Sequence, residues 1–342
     1  MLDFVDYSQY RTWSKCPWAW YWRYVRGWAK KFEGQRKDAM CIGSLVHDGL
    51  ENWGKNGIPR ITDECMAENN PTPEALSAAR DLVEEYVRLY PNEDWEIHRF
   101  EEPLRFPIPD CPKEGLAKID AYFYNPTQRI IESGLPGYTL ALAPGWWIRE
   151  YKTKDAGLSR ANWNQNWEVN MQAAFQMMAL RNKINEPVQG VLVSVLEKPR
   201  LYVPKRKCKG CGEQFEMGLY LSTGTGEHAC PSCGTKQKLS AYEPKVKLTP
   251  QFYRVVAVRN EEQLRQAERE ILAVADSMAV MEPSNGDGIT YRGHTPPTRE
   301  NCVHPIYGQC EFYKLDTYRI PPEEDESLEP RDPTKYVQIG VI

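Results

Sequence analysis

The stretch Ile148–Lys154 (IREYKTK) sets Glu150 and Lys152 two positions apart in sequence that reads as a strand, so both side chains leave the same face. A carboxylate there can hold a divalent cation. The neighbouring ammonium can orient an attacking water or stabilise charge developing on a phosphate. Glu-x-Lys alone is common, and its plain alternative is a surface cross-strand pair. The preceding strand sharpens the reading, because Asp120 closes the run Lys118-Ile119-Asp120 in otherwise apolar sequence, where an unpaired charge is costly. Two carboxylates and a lysine on adjacent strands form a hard-cation site suited to magnesium or manganese, and the chemistry it predicts is phosphodiester hydrolysis.

A second constellation is made of thiols. Cys208-x2-Cys211 and Cys230-x2-Cys233 are separated by 18 residues, the spacing of a structural zinc site. Each Cys-x-x-Cys turn aims two thiolates at one ion, and four complete a closed tetrahedron with no open position for catalysis. Gly210, Gly212, Pro231 and Gly234 supply the tight turns in CKGCG and CPSCG. An iron–sulfur cluster or a redox dithiol is a lesser competitor. The basic lead-in Lys205–Lys209 suggests a nucleic-acid contact, although the same residues would equally brace a loop.

The elements that must position these groups follow from period and punctuation. Residues 7–28, thick with aromatic side chains, read as a helix entered at Ser8, and Met40–Glu51 as a second. A third is capped by Thr72, with Pro73 at its first position and Leu76, Ala79, Val83, Tyr86 and Tyr90 at helical spacing. Strands are expected at Glu96–Phe106, Ala117–Asn125 and Trp147–Thr153, then a helix at Val169–Lys183 and a buried central strand at Val188–Glu197. Past the cysteine-rich insert, Lys247–Arg259 is strand-like. Asn260–Met281 is a helix with Asn260 and Gln263 placed as a capping box and Leu264, Ala267, Ile271, Val274 and Met278 on one face. The order is that of an α/β core with a single crossover helix, which argues against a long doubly wound sheet.

Bulk properties bound the partners. With 342 residues the chain suffices for one large domain with insertions or for two smaller ones. No apolar run approaches the ~18–20 residues of a membrane span, and acidic residues stand where a signal peptide would be basic, so an intracellular, cytoplasmic protein is expected. The net charge of −4 advertises no nucleic acid globally, but phosphate contacts depend on the local field. Basic residues gather at Arg23, Arg26, Lys30 and Lys31, and the acidic run Pro321–Asp332 reads as a solvated tail. Ten cysteines in such a chain argue for metal binding before disulfides.

Taken in order, these motifs resemble the PD-(D/E)xK nuclease superfamily, in particular its RecB-like exonuclease branch. Cys16-Pro17 followed by Trp18-Ala19-Trp20-Tyr21-Trp22-Arg23 matches the branch's N-terminal helix. Gly43-Ser44-Leu45-Val46-His47 matches its Gly-x-x-x-His motif. Ala117-Lys118-Ile119-Asp120 stands for Gly-x-x-Asp, with Ala in place of Gly. Glu150-Tyr151-Lys152 is the acidic-x-Lys strand. Gln172-Ala173-Ala174-Phe175-Gln176 stands for Gln-x-x-x-Tyr, Gln176 replacing the tyrosine in a departure expected to touch no metal ligand.

The resemblance implies a restriction-endonuclease-like α/β fold, a mixed central sheet flanked by helices, with the zinc ribbon inserted. Residues 1–199 would be the core with its N-terminal helices, 200–246 the ribbon, 247–320 the rest of the nuclease domain and 321–342 an irregular tail. His47, Asp120, Glu150 and the Tyr151 carbonyl would ligate Mg²⁺ or Mn²⁺, Lys152 would position water, and Gln172 would anchor the lysine or substrate. Some RecB-like nucleases also hold a [4Fe–4S] cluster. Cys16, Cys302 and Cys310 fit three of its positions, with Asp316 in place of the fourth cysteine and His304 as another candidate. The competing reading, a remnant whose cysteines merely pack, is preferred.

The implied activity is a metal-dependent deoxyribonuclease leaving 5′-phosphates, an exonuclease on DNA ends or single strands in replication, recombination or repair, with a phage or prokaryotic setting. Trp18, Trp20 and Trp22 would stack on bases or fill a core. The alternatives are a non-catalytic nucleic-acid-binding scaffold and a nuclease subunit of a larger recombination or CRISPR-adaptation complex. No GxxxxGK[ST] loop is present, so ATP-driven unwinding would need a helicase partner.

Overall fold

The computed structural model describes residues 3–30, 35–91, 97–135, 137–155, 166–167, 169–198, 205–212, 214–216, 226–230, 232–239, 251–281, 303–304, 308–309 and 322–330. Its organising element is a mixed six-stranded sheet. The strands are β1 (Phe4–Asp6), β3 (Ile97–Pro107), β4 (Glu114–Asn125), β7 (Gly145–Asp155), β8 (Val188–Lys198) and β13 (Gln251–Ala257). β7 and β8 run parallel, joined through a crossover that contains helix α6 (Met171–Ile184), while β3–β4, β4–β7 and β8–β13 are antiparallel. A mixed α/β core with a central sheet and flanking helices was the expected class, and it is what is found.

Alternation along the strands feeds two cores. On β8, Val191, Val193 and Val195 join the cluster built with α6 and with helix α7 (Glu261–Met281). Leu196, one residue on, joins the opposite cluster with α3 (Gln35–Asn56) and α5 (Pro73–Leu89). β8 is therefore buried on both faces, which is why it reads as an unbroken apolar run. The caps follow the local chemistry. Thr72 Oγ1 accepts from Ala75 N at 3.2 Å, and Asn260 and Gln263 exchange side-chain and backbone bonds of 2.8 and 2.9 Å as the expected capping box.

Several elements differ from the sequence reading. The single helix expected over residues 7–28 is three pieces: α1 (Tyr7–Lys15), α2 (Pro17–Trp20) and a π-helical turn (Tyr21–Val25). Pro17 cannot donate to the preceding turn, so Cys16 adopts an extended backbone and the chain restarts. The cap of α1 is Asp6, whose Oδ1 accepts from Gln9 N at 2.7 Å, rather than Ser8. A short helix α4 (Asp63–Asn69) and a hairpin of β5 (Arg129–Glu132) and β6 (Thr139–Leu142) were not foreseen. This hairpin covers the outer edge of β13, where Arg254 N donates to Ser133 O at 2.6 Å. The acidic run is not simply a solvated tail. Asp325 and Leu328 are buried, and β16 (Leu328–Pro330) pairs with β2 (Trp28–Lys30), packing Leu328 beside Cys16 and Ala19.

One feature of the sheet decides where chemistry can happen. β3 runs along one edge of β4 for nearly its whole length. The other edge is shared: β7 pairs with Ala121–Asn125 and β1 pairs, parallel, with Glu114–Leu116. Between them neither β7 nor β1 pairs with residues 117–120, so this stretch of β4 faces a fork. The last ladder pair is Ala121 with Arg149, which puts Asp120 and Glu150 next to each other at the mouth of the fork.

Candidate active site and thiol cluster

Asp120 stands where the ladder stops. Its Oδ2 accepts the Tyr151 backbone N–H at 2.7 Å, replacing the carbonyl partner that N–H would have in a continued ladder. Its Oδ1 lies 3.3 Å from His47 Nδ1, on α3, which packs against β3 and β7. Glu150, only 1% exposed, is held by three donors. Gln172 Nε2 donates to Oε1 and Gln176 Nε2 to Oε2, each at 2.7 Å, and the Lys152 ammonium pairs with Oε1. Both glutamines sit on α6, four residues apart and hence on one face. Asn170 caps that helix by accepting from Gln172 N at 2.9 Å.

The fields in this cluster are strongly coupled. Burial pushes the Glu150 carboxyl above its usual range and the Asp120 charge adds to it, against the pull of Lys152. For Asp120 burial acts the same way, but the charge and hydrogen bond of His47 and the charge of Lys152 outweigh it and hold the carboxyl low. Burial disfavours protonated His47, yet Asp120 overrides this and raises its affinity for a proton. Lys152 likewise is raised by Glu150 and Asp120 in spite of burial.

The structure thus gathers His47, Asp120, Tyr151, Glu150, Lys152 and Gln172, all six residues expected from the motifs. It arranges them as two linked halves, His47–Asp120 and Lys152–Glu150–Gln172. Among the described residues, the set of three or more possible ligand atoms lying within 4.8 Å of one another is the thiol set discussed below, so His47, Asp120 and Glu150 stand wider as a trio.

Gln176 corrects the sequence reading. It was expected to touch no metal ligand, and it bonds Glu150 directly, with a second contact of 3.3 Å to Lys118 O. The signal was available in its i, i+4 relation to Gln172. Arg149 was also missed. Fully buried on the other face of β7, it donates to Ser194 Oγ at 3.3 Å and to the Tyr86 hydroxyl, while Tyr86 Oη donates to Ser194 Oγ at 3.2 Å. Burial alone would raise the Tyr86 phenol, but the guanidiniums of Arg149 and Arg254 hold it below its usual value. This knot ties β7 to α5 directly behind Glu150. Cys16 is buried against Ala19, Leu328 and Trp18; Cys302, Cys310 and Asp316, the remaining candidates for an iron–sulfur cluster, lie outside the described residues.

The four thiols expected to meet do so. Cys208, Cys211, Cys230 and Cys233 place their sulfurs within 4.8 Å of one another, with Cys208–Cys233 at 3.5 Å and Cys211–Cys230 at 3.8 Å. Sulfurs at ~2.3 Å from a tetrahedral zinc would be ~3.8 Å apart, so the set fits such an ion. Each knuckle closes alike: Gly212 N donates to Cys208 O and Gly234 N to Cys230 O, both at 2.9 Å, with both glycines at positive φ. Hydrogen bonding with the Thr235 hydroxyl and backbone brings the Cys233 thiol down to about 6, and backbone N–H groups of Cys211 and Gly210 lower Cys208, which favours thiolates. The knuckles join β9 (Lys205–Lys207) to β10 (Gln214–Glu216) and β11 (Gly226–Ala229) to β12 (Lys236–Leu239), two small antiparallel pairs.

With this geometry in view, comparison with known proteins gives two likenesses. Residues 6–114 match the PD-(D/E)XK nuclease superfamily, the superfamily whose motifs the sequence resembles. The match spans the Cys16-Pro17 segment and His47 and ends before Asp120. No curated protein matches the chain. Among solved structures, a crystal structure named "Putative exonuclease" from Eubacterium rectale is similar at 12% identity, with 81% of this chain and 82% of that one covered and a TM-score of 0.42. Among the described residues no helix is long and apolar enough to cross a membrane.

Proposed function

We propose that the chain is a metal-dependent deoxyribonuclease of the RecB-like branch, acting as an exonuclease on DNA ends or single strands. The observation that carries this reading is the fork between β4 and β7, where two buried carboxylates, a lysine, an imidazole and two glutamines converge. Carboxylate oxygens with one imidazole are the donor set of a hard divalent cation, and both burial and the Asp120 charge, which raise Glu150, disfavour a charge that such a cation would stabilise. The donor types suit Mg²⁺ or Mn²⁺, and Asp120, Glu150, His47 and the Tyr151 carbonyl are the groups that would hold it, drawn closer than the spacing His47, Asp120 and Glu150 have here. When bound, such an ion supplies Lewis acidity and charge neutralisation at the scissile phosphate.

The chain's own groups do the rest. Lys152, protonated and tethered to Glu150, presents an ammonium that orients a water or meets charge on the phosphate. Gln172 and Gln176 fix the Glu150 carboxylate from α6, and the Tyr151 N–H fixes Asp120. The four-thiol insert we read as a structural zinc ribbon that braces or extends the DNA-binding surface.

Cleavage of labelled single- and double-stranded DNA with Mg²⁺ or Mn²⁺ tests the reading, alongside Asp120→Asn and Lys152→Ala. The expected result is metal-dependent cleavage by the wild type that falls at least ~100-fold in either variant, the scale on which removing a charge-stabilising group acts. Equal rates in wild type and variants would sink the assignment, and binding without metal-dependent cleavage would favour the scaffold.

A further inference from the structure

A second element borders the fork. β1 climbs along β4 as far as the Asp6–Leu116 pair and turns at once into α1, so Tyr7 opens the helix at the foot of the fork, next past the level of Leu116. Tyr7, Arg11 and Lys15 then follow at i, i+4 and i+8, one stripe of α1 that rises about 12 Å away from the site. The helix is fixed in place. Tyr7 and Tyr10 pack edge-on against Phe175 of α6, the helix that carries Gln172 and Gln176, and Tyr10 Oη donates to Glu270 of α7 at 3.3 Å.

Arg11 and Lys15 are exposed, and among the described residues neither has a carboxylate in ion-pair reach. Like charges are instead gathered: the Lys15 ammonium is held below its usual value by burial and by the charges of Arg11 and Arg23. The Tyr7 phenol, raised by burial, feels both Arg11 and Lys152, which marks it as the link between the stripe and the site. Two exposed cations one turn apart, with no carboxylate in reach among the described residues, raise the local field at Arg11 and Lys15, and such a field attracts an anion.

Resting on the nuclease reading, we infer that Tyr7, Arg11 and Lys15 form a track for the phosphates of the nucleic-acid strand flanking the bond held at Asp120, Glu150 and Lys152. Tyr7 donates its hydroxyl to a phosphate oxygen nearest the site, and the cations neutralise the phosphates that follow along α1. The ligand class is a polyanionic phosphodiester strand read through its backbone, without base specificity.

The test is salt-dependent binding of a labelled 20-nucleotide single strand by the wild type and by Arg11→Gln/Lys15→Gln, in buffer with no added Mg²⁺ or Mn²⁺, so that no strand is cut and the thiol cluster keeps its metal. Each lost phosphate contact lowers the slope of log K against log salt by ~0.7, so the double variant should lose ~1.4; taking 1 M salt as the reference, binding at 0.1 M then weakens about 25-fold. Arg11→Lys/Lys15→Arg should restore the slope. Lys55→Gln/Arg88→Gln, which removes equal charge from helices on the other face of the sheet, should leave it unchanged. An unaltered slope in Arg11→Gln/Lys15→Gln, or an equal loss in the Lys55/Arg88 control, overturns the track. If the wild type cuts DNA with Mg²⁺ or Mn²⁺ while the slope is unaltered, the track alone fails; if it neither binds nor cuts, the nuclease reading fails and takes the track with it.

Discussion

Replacing Gln176 with leucine isolates what holds the Glu150 carboxylate. Leucine fills a similar volume without a donor, so packing changes little. The amide has one oxygen, Oε1, buried without a partner among the described residues, and losing it returns roughly 1–3 kcal/mol of desolvation cost to the fold. What is lost is a 2.7 Å donor to a carboxylate only 1% exposed. Hydrogen bonds to charged groups contribute ~1.5–3 kcal/mol, a factor of ~10–150 in an equilibrium constant. With folding nearly compensated, that loss should fall on the ionised, correctly aimed Glu150 and so on cation binding.

Calorimetric titration with Mn²⁺, together with the Mn²⁺ concentration for half-maximal DNA cleavage, should show a ten- to hundredfold weakening in Gln176→Leu. Gln172→Leu supplies the contrast. Its donor goes to Oε1, which Lys152 also holds, and the contact is only partly buried, so about a two- to tenfold effect is expected. A Gln176→Leu protein that titrates like the wild type, or a Gln172→Leu protein that is the more damaged, would refute the assignment of Gln176 as the principal brace.

Two other perturbations probe the scaffold. Cys233→Ser should drop the zinc content measured by elemental analysis from one per chain towards zero and expose residues 205–239 to trypsin; retention of full zinc would show that the thiols do not act as one set. Gly115→Ala would put a Cβ 2.1 Å from the Phe106 ring; overpacking of ~1–3 kcal/mol should lower the melting temperature by roughly 2–10 °C with unchanged activity per folded molecule, and an unshifted melt would contradict that close approach.

How much of this was legible depended on range. The buried strand at Val188–Lys198, the caps at Thr72 and Asn260 and the Cys-x-x-Cys knuckles are local patterns, and the sequence states them directly. Asp120, Glu150 and Lys152 were found as residues, and their partners His47 and Gln172 through motif order. The fork that makes them a site was not legible. It arises because β7 leaves β4 after Ala121 while β1 takes over that edge at Leu116, a register between segments more than a hundred residues apart. Tyr7, Arg11 and Lys15 were passed over for the same reason: their stripe means little until β1 delivers α1 to the foot of the fork. Gln176 is the opposite case, visible at helical spacing from Gln172 but set aside because it departed from the expected tyrosine.

That departure is consistent with the electrostatics. Two buried carboxylates side by side destabilise a fold unless each is supplied with donors. Here Asp120 has His47 and the Tyr151 N–H, and Glu150 has Lys152, Gln172 and Gln176. Behind them, Arg149, Tyr86 and Ser194 lock the strand that carries Glu150. A tyrosine at position 176 would have one hydroxyl to offer. The glutamine reaches both Glu150 and the Lys118 carbonyl with one amide nitrogen, tying the helix to both strands of the fork. So dense a set of donors around two ionisable groups in a crevice suits a site that must hold its carboxylates charged and aimed, which an ordinary core position has no need to do.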